Sequence, residues 1–483
     1  MTLTSAVNSA KSVFSNVGEQ SSVISKNIAN TSNVNYVRRA AVIMTTPQGS
    51  QVITTERAQD EALQRKMFMS MSDSSGQDTL LQGLESLKSI LGGNDYQLAP
   101  STYMAQLYDS LEAYAAKPGE LSLAQSAIAT AQDVATSLNN ASTAVQALRA
   151  DADKNIESDV AKLNSLLAQL KVANDSVVNQ TAIGGDPNNA LDQRDTLVKG
   201  ISEIVGITVV KRDNNDLVLY TSDGTTLFET EPRKVTFAAT NGYGAATVGN
   251  QVYVDGAPIT SGKNGNTSAQ GSLAALVQLR DDVAPVFQKQ LDEVARALIT
   301  VFKETAAANP DMPGLFTWSG GTAPAAGTTV PGIAGSIKVN PALLSSAGGN
   351  PTLLRDGGIN GAAYVKNTTA GSGYSEQLSK FLVSLDGDMV FDPTTQLDAS
   401  SSVMTFATDS VGWLEQYRSS ATNGSENKTA MLLQSQQAYS DKTSVSLDEE
   451  LSLLLDVEQS YKAATKLVTA VDEMLQALIA MAG

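Results

Sequence analysis

Two apolar heptad seams, one at each end of the chain, constrain its fold more than any other feature. The first passes through Leu3, Val7, Ala10, Phe14, Val17, Ser21, Ile24 and Ile28, the second through Leu454, Val457, Tyr461, Ala464, Val468, Val471, Leu475 and Leu478. Alternating steps of four and three align side chains on one helix face and leave that face in need of a partner. Each seam covers about 25 residues, roughly 37 Å at the helical rise, so the two match in length. The spacing predicts that the first and last helices pair as a rod-like device across nearly the whole sequence.

Composition removes most chemistry. The 483 residues contain no cysteine and no histidine. Zinc sites built from those ligands, thiol nucleophiles and histidine-based triads are therefore excluded. A net charge of −17 argues against nucleic acid as a partner. No apolar run approaches the roughly 18 residues of a membrane span, and serines and asparagines interrupt Met1 to Gly18. Neither membrane insertion nor a cleavable signal peptide is expected. Asp386-Gly387-Asp388, with Asp392 beyond, resembles a calcium loop in outline. Met389 and Val390 stand where oxygen ligands and glycine are needed, so it reads as a turn. No catalytic residues, cofactor or metal are expected.

Between the seams the pattern is mainly helical. Helical spacing covers Leu63 to Leu91 and Tyr103 to Tyr114, and Glu120 to Val178 reads as one very long helix. The stripe of that long helix runs Val134, Leu138, Ala141, Val145, Leu148, Ala152, then Ile156, Val160, Leu163, Leu167 and Leu170, with a 4-4 step at Ala152 that re-phases the seam. A helix from Asn189 to Ile204 precedes a β-like stretch. There Ser222-Asp223-Gly224 marks a hairpin, and strands are expected at 235–238, 245–248 and 251–254 around Gly249-Asn250. Helix returns over Leu273–Ala308, Tyr374–Leu385 and Val403–Tyr439, and Ser446 with Glu449 forms a capping box for the last helix.

The expected fold class is mainly α with a β-rich insertion: an elongated helical-bundle rod with paired terminal coiled-coil helices and a smaller outward β domain. The expected segments are 1–56 (heptad helix and connector), 57–205 (helical rod), 206–268 (β-rich outer domain) and 269–308 (returning helix). They continue with 309–373 (Gly/Pro-rich, assigned to the outer domain), 374–445 (last part of the rod) and 446–483 (C-terminal heptad helix).

Three blocks carry a resemblance. Asn27-Ile28-Ala29-Asn30, followed by Tyr36 and Arg38, resembles the signature of the bacterial flagellar rod, hook and hook-associated axial proteins. Asn35 stands where that family prefers glycine and tolerates the same left-handed turn. Glu458 to Ala464 and Asp472 to Leu475 are similar to the family's terminal helix. The third block, Pro187 to Val198 with Asn188, Asn189, Leu191, Asp192, Gln193, Arg194 and Asp195, resembles the hook-associated proteins of the hook–filament junction. Alone, Asp192 to Asp195 reads as a solvated helix face with local ion pairs.

The resemblance implies a structural, non-enzymatic axial component of the flagellum, outside the cell, exported through the flagellar channel. Its implied partners are copies of itself in a ring or tubular homo-oligomer, hook protein, a second hook-associated junction protein or filament, and an export chaperone. The alternatives are a flagellin-like or hook-like subunit, or a secreted carbohydrate-binding adhesin. Seven serines and three asparagines in residues 1–28 make the first helix weak in isolation. Both terminal helices are therefore expected to order on assembly.

Overall fold

The computed structural model describes residues 3–45 and 51–482. Pro47-Gln48-Gly49, around which the sequence suggests a short β-like stretch at 41–44 and 51–54, and the side chain of Leu3 lie outside the described set. The chain begins α1 (Leu3–Ala29), β1 (Arg39–Thr45), β2 (Gln51–Arg57), α2 (Glu61–Ile90), α3 (Pro100–Ala116), α4 (Leu121–Ala182) and α5 (Asn188–Ile204). Short strands follow: β3 (Ile207–Lys211), β4 (Leu217–Thr221), β5 (Thr226–Phe228), β6 (Val235–Thr236), β7 (Tyr253–Val254) and β8 (Ala257–Pro258). Next come α6 (Ser272–Gln278), α7 (Ala284–Val301), β9 (Glu304–Ala306), β10 (Asn309–Met312), β11 (Phe316–Thr317), β12 (Lys338–Val339), α8 (Leu353–Asp356) and α9 (Glu376–Asp386). The chain closes with β13 (Asp388–Val390), β14 (Ser400–Ser402), α10 (Val403–Thr443) and α11 (Leu447–Ala482).

Two compact units form, each from separated stretches. The first comprises Met1–Ser72, Leu163–Lys234 and Thr429–Gly483. Here β1 and β2 pair antiparallel with Arg39 opposite Arg57, and β3-β4-β5 make an antiparallel sheet. The core gathers Phe68, Leu191, Val198 and Ile201 from helices with Leu217, Leu219 and Phe228 from strands. The terminal helices pack along each other antiparallel, Phe14 meeting Tyr461 edge-to-face at 5.2 Å between ring centroids. Ala10, Val17 and Ile24 are buried on α1, and Ala464 and Val471 on α11.

The rest of the seam is less covered. Phe14, Ile28, Leu454 and Val457 are half-buried, while Val7, Tyr461, Val468, Leu475 and Leu478 stay exposed. Only half of the expected capping box forms at the start of α11: the Glu449 amide faces Ser446 Oγ at 3.5 Å, while the Glu449 carboxylate pairs with Arg38 at 3.0 Å, and Asp448, Glu449 and Glu450 occupy the first turn.

The second unit comprises Asp73–Lys162 and Val235–Lys428. Its core includes Leu84, Leu107, Leu138, Val145, Phe287 and Leu298, with Phe302 against Phe316 and Phe381, and Phe391 stacked on Phe406 at 4.0 Å. Every residue of the stripe read along α4, from Val134 to Leu170, is buried.

Several expectations are corrected. The 206–268 segment is not one domain: β3–β5 pack with α5 and the end of α4 in the first unit, and everything from Val235 belongs to the second. The division also falls inside the expected 57–205 and 374–445 segments, because α2, α4 and α10 each contribute to both units. Residues 245–248 form no strand, and the β7–β8 turn sits at Asp255-Gly256, both at positive φ, rather than at Gly249-Asn250. Gly249 is instead pressed against the Arg280 guanidinium, where a Cβ would lie 2.5 Å from it.

The helix expected over Leu273–Ala308 ends at Val301 and contains a π turn at Leu279–Val283. That turn places buried Arg280 against Asp153 at 2.6 Å. Past Val301 the chain turns into β9 because Glu304 is buried and accepts the amides of Ile359 and Asn360 at 2.9 and 2.8 Å.

Candidate functional site

The conspicuous polar site lies in the first unit, where two of the sequence blocks meet. Asn27, in the last turns of α1, is fully buried. Its Nδ2 donates to the Arg39 carbonyl at 2.8 Å, and its Oδ1 accepts the Arg39 amide at 3.1 Å and the Tyr36 hydroxyl at 2.8 Å. One side chain thereby fixes the path from α1 into β1. An isosteric aspartate would lose the donor, so the amide is what this turn requires.

Neighbouring signature residues close the helix end. Asn30 Nδ2 donates to the Lys26 carbonyl at 2.9 Å. Ile28 is half-buried, Ala29 exposed, and Val34 in the following loop is 89% exposed.

From this turn two arginines reach in different directions. Arg38 donates through Nε to Glu450 at 2.7 Å and lies 3.0 Å from Glu449, while its amide donates to the Thr443 carbonyl at 2.8 Å. It therefore ties the start of β1 to the α10–α11 junction. Arg39 is 5% exposed and donates through Nη2 to Asn189 at 2.8 Å and Asp192 at 2.9 Å. Its guanidinium also stacks 4.7 Å from the Tyr36 ring centroid.

Arg57, opposite Arg39 across the β1–β2 pair, completes the cluster. It lies 3.0 Å from Asp192 and donates to Asp195 at 2.6 Å, and Gln64 adds a bond to Asp195 at 2.8 Å. Burial, which would lower the Arg57 pKa, is outweighed by Asp195 and Asp192, and the guanidinium is held above its ordinary value. Burial pushes the Asp192 carboxyl up against the pull of Arg57 and Arg39, and its net pKa is raised.

The central block is therefore not a solvated helix face. Asn188, Leu191, Arg194, Asp195, Leu197 and Val198 are buried, and only Asn189, Gln193 and Thr196 are exposed. Arg194 turns to the other side of α5 and donates to Asn174 at 3.0 Å, which in turn donates to Asp216 at 2.7 Å. Asn188 donates to the Thr55 carbonyl at 3.1 Å. Sequence reading singled out Asp192, Asp195 and Arg38 without their partners. It missed Arg39, Arg57 and Gln64 as partners of the α5 block and Glu450 as the partner of Arg38, since these pairs lie far apart in the sequence.

The remaining candidates serve the fold. Asp386 accepts the Tyr108 hydroxyl at 2.9 Å, and Asp392 caps the following turn by accepting the Thr394 amide at 2.8 Å. Among the described residues no group of three or more acidic side chains is arranged to hold a metal ion, and no helix is long and apolar enough to cross a membrane.

Residues 84–317 match the flagellar hook-associated protein FlgK helical domain, and residues 436–481 match the flagellar basal body rod FlgEFG protein C-terminal family. Flagellar hook-associated protein 1 of Bacillus subtilis is 23% identical over 457 residues, covering 89% of this chain and 85% of the relative. The Salmonella typhimurium protein of that name is 24% identical over 316 residues, covering 62% of this chain and 56% of the relative. The chain thus spans little more than half of that second relative. A solved structure of the flagellar hook junction protein FlgK from Burkholderia pseudomallei aligns with 53% of this chain and 47% of its own, at 19% identity and a TM-score of 0.43. Helix-domain and terminal matches thus fall in the order of the sequence blocks, and over those residues the chain is similar to flagellar hook-associated proteins.

Proposed function

We propose that this chain is a structural axial subunit that joins the flagellar hook to the filament. The observation that carries the reading is the α1–α11 pair, which buries Ala10, Val17, Ile24, Ala464 and Val471 of its seams yet leaves Leu451, Leu455, Leu467, Met474, Leu478 and Ile479 exposed on α11. A helix apolar on more than one side needs more than one partner. Neighbouring copies, arranged in a ring or tube, supply the others.

Asn27, Arg38, Arg39 and the Asn189–Asp195 block hold that pair at a set angle to the body of its own unit, so contacts made along the pair act on the whole subunit. The work is geometric, and no reaction is assigned to it. Hook protein contacts one side, and filament or a second junction protein the other. The subunit leaves the cell through the flagellar channel, accompanied by a chaperone.

A strain lacking the protein tests this directly. Electron micrographs should show hooks without filaments, and filament subunits should appear in the medium. Restoring the chain without residues 451–483 should give a folded protein that fails to assemble. Normal filaments in either strain would refute the reading.

A further inference from the structure

A cavity of about 430 Å³ opens between the signature loop, α2, α5 and the end of α10, all within the first unit. Val37, Met67, Met71 and Val445 give it apolar patches, while Asn33, Asn35, Gln436, Tyr439 and Ser440 line the rest of its wall together with Lys199. The Lys199 ammonium has no hydrogen bond or ion pair among the described residues. The acidic groups nearest it, Asp195 and Asp192, are already engaged by Arg57, Gln64 and Arg39. Burial pushes the Lys199 amine down from its ordinary value, against the pull of Asp195, as expected of a cation without a close counter-charge.

The other half of a contact is exposed on the same unit. Phe14 lies opposite Tyr461 in an antiparallel pair; about eleven residues of α1 precede Phe14, whereas about twenty-one of α11 follow Tyr461. The end of α11 therefore runs roughly ten residues, about 15 Å, past Leu3, the first described residue of α1. Met474, Leu475, Leu478, Ile479 and Met481 are all exposed on that overhang. Glu473 stands at its root, exposed and without an ion pair among the described residues. The tip thus presents apolar side chains beside a carboxylate without an ion pair, and the cavity presents apolar patches within a polar wall beside an ammonium without one.

We propose that the cavity receives the α11 overhang of a second copy of this chain, with Lys199 pairing with Glu473 of that copy. Cavity and overhang are different surfaces of one subunit, so the contact is head-to-tail. Repeated contacts of that type build rings or helices rather than closed two-fold pairs. The inference rests on the assembly function proposed above and gives it a specific joint.

Charge exchange tests it in cells lacking the native protein. E473K and K199E should each lower incorporation at hook tips about tenfold or more, the scale of a close interfacial charge pair. The double variant K199E/E473K should recover to within about threefold of the native chain. Because Glu473 is exposed, E473K should melt with the native protein, so its assembly defect is not a folding defect. Should K199E fail to fold, carbodiimide coupling in isolated flagella decides: a Lys199–Glu473 cross-link between isotopically distinct copies is expected. Native incorporation of E473K, no recovery in a folded double variant, or no such cross-link would overturn the proposal. Loss of filaments in the deletion strain would still stand in each case, which separates this failure from failure of the assembly function.

Discussion

Removing the Asp192 carboxylate should cost the first unit about 3–5 kcal/mol, the scale of a buried ion pair broken on one side. Arg39 and Arg57 are 5% and 4% exposed, and both lie within 3.0 Å of Asp192. Each contact carries roughly 5–6 kcal/mol of Coulomb attraction at an effective dielectric of about 20. The raised Asp192 pKa means that desolvation exceeds this gain for the carboxylate itself. The cost of Asp192→Ala therefore comes chiefly from stranding the arginines, and Arg39 suffers most because Asn189 is its other side-chain acceptor. Arg57 keeps Asp195.

Asp192→Asn retains the shape and one acceptor, and should cost about half as much, roughly 1.5–3 kcal/mol. Hydrogen exchange of residues 51–57 and 188–204 under rising urea reads the first unit specifically. A double-mutant cycle of Asp192→Ala with Arg39→Ala should give a coupling of about 1.5 kcal/mol or more. Additive effects, with coupling below about 0.5 kcal/mol, would refute the claim that this cluster is one interacting network.

Glu293→Ala leaves fully buried Arg296 without its bidentate partner, whose bonds are 2.8 and 2.9 Å, and should lower second-unit stability by about 3–5 kcal/mol in denaturant unfolding. Despite some burial, which acts upward, the Thr394 amide and Thr329 groups hold the Asp392 carboxyl at about 2. Stability from that site is present above the ordinary carboxylate value and lost as pH falls through the depressed one. Exchange of the amides of Thr329 and Thr394 should accelerate between about pH 4 and pH 2, and Asp392→Ala should remove that pH dependence. In the free subunit, amides of residues 4–28 and 451–481 should exchange far faster than those of α4, and protection should rise on assembly. Full protection of α1 before assembly would contradict ordering on incorporation.

The long-range architecture was legible where one face alone had to be buried. The α4 stripe from Val134 to Leu170, including its 4-4 step at Ala152, corresponds side chain by side chain to buried positions, because a 3.6-residue period has no other way to hide those groups. The end of α7 was not legible. From Gln290 to Ile299 every residue is buried, charged Asp292, Glu293 and Arg296 included, so no amphipathic edge marks the helix or its stop.

The terminal seams were readable as partners, but heptad spacing does not tell which seam positions a single partner covers. Ala464 and Val471 are covered by α1, and Leu475 and Leu478 are not. The charged cluster was invisible for a different reason. Arg39 and Asp192 are 153 positions apart, and no local pattern pairs charges over that distance. What was visible, an acidic and basic block on α5, looks the same in sequence whether it faces water or a buried arginine.

The pairing of α1 with α11 is the claim on which the assembly account turns. The native chain has no cysteine, so cysteines placed at Phe14 and Tyr461, whose rings now meet at 5.2 Å, can be joined by a short thiol-reactive bridge in isolated flagella. The account predicts a bridge formed within single subunits that sit at intact hook–filament junctions. Bridges formed only between subunits, or none at all in assembled flagella, would contradict it.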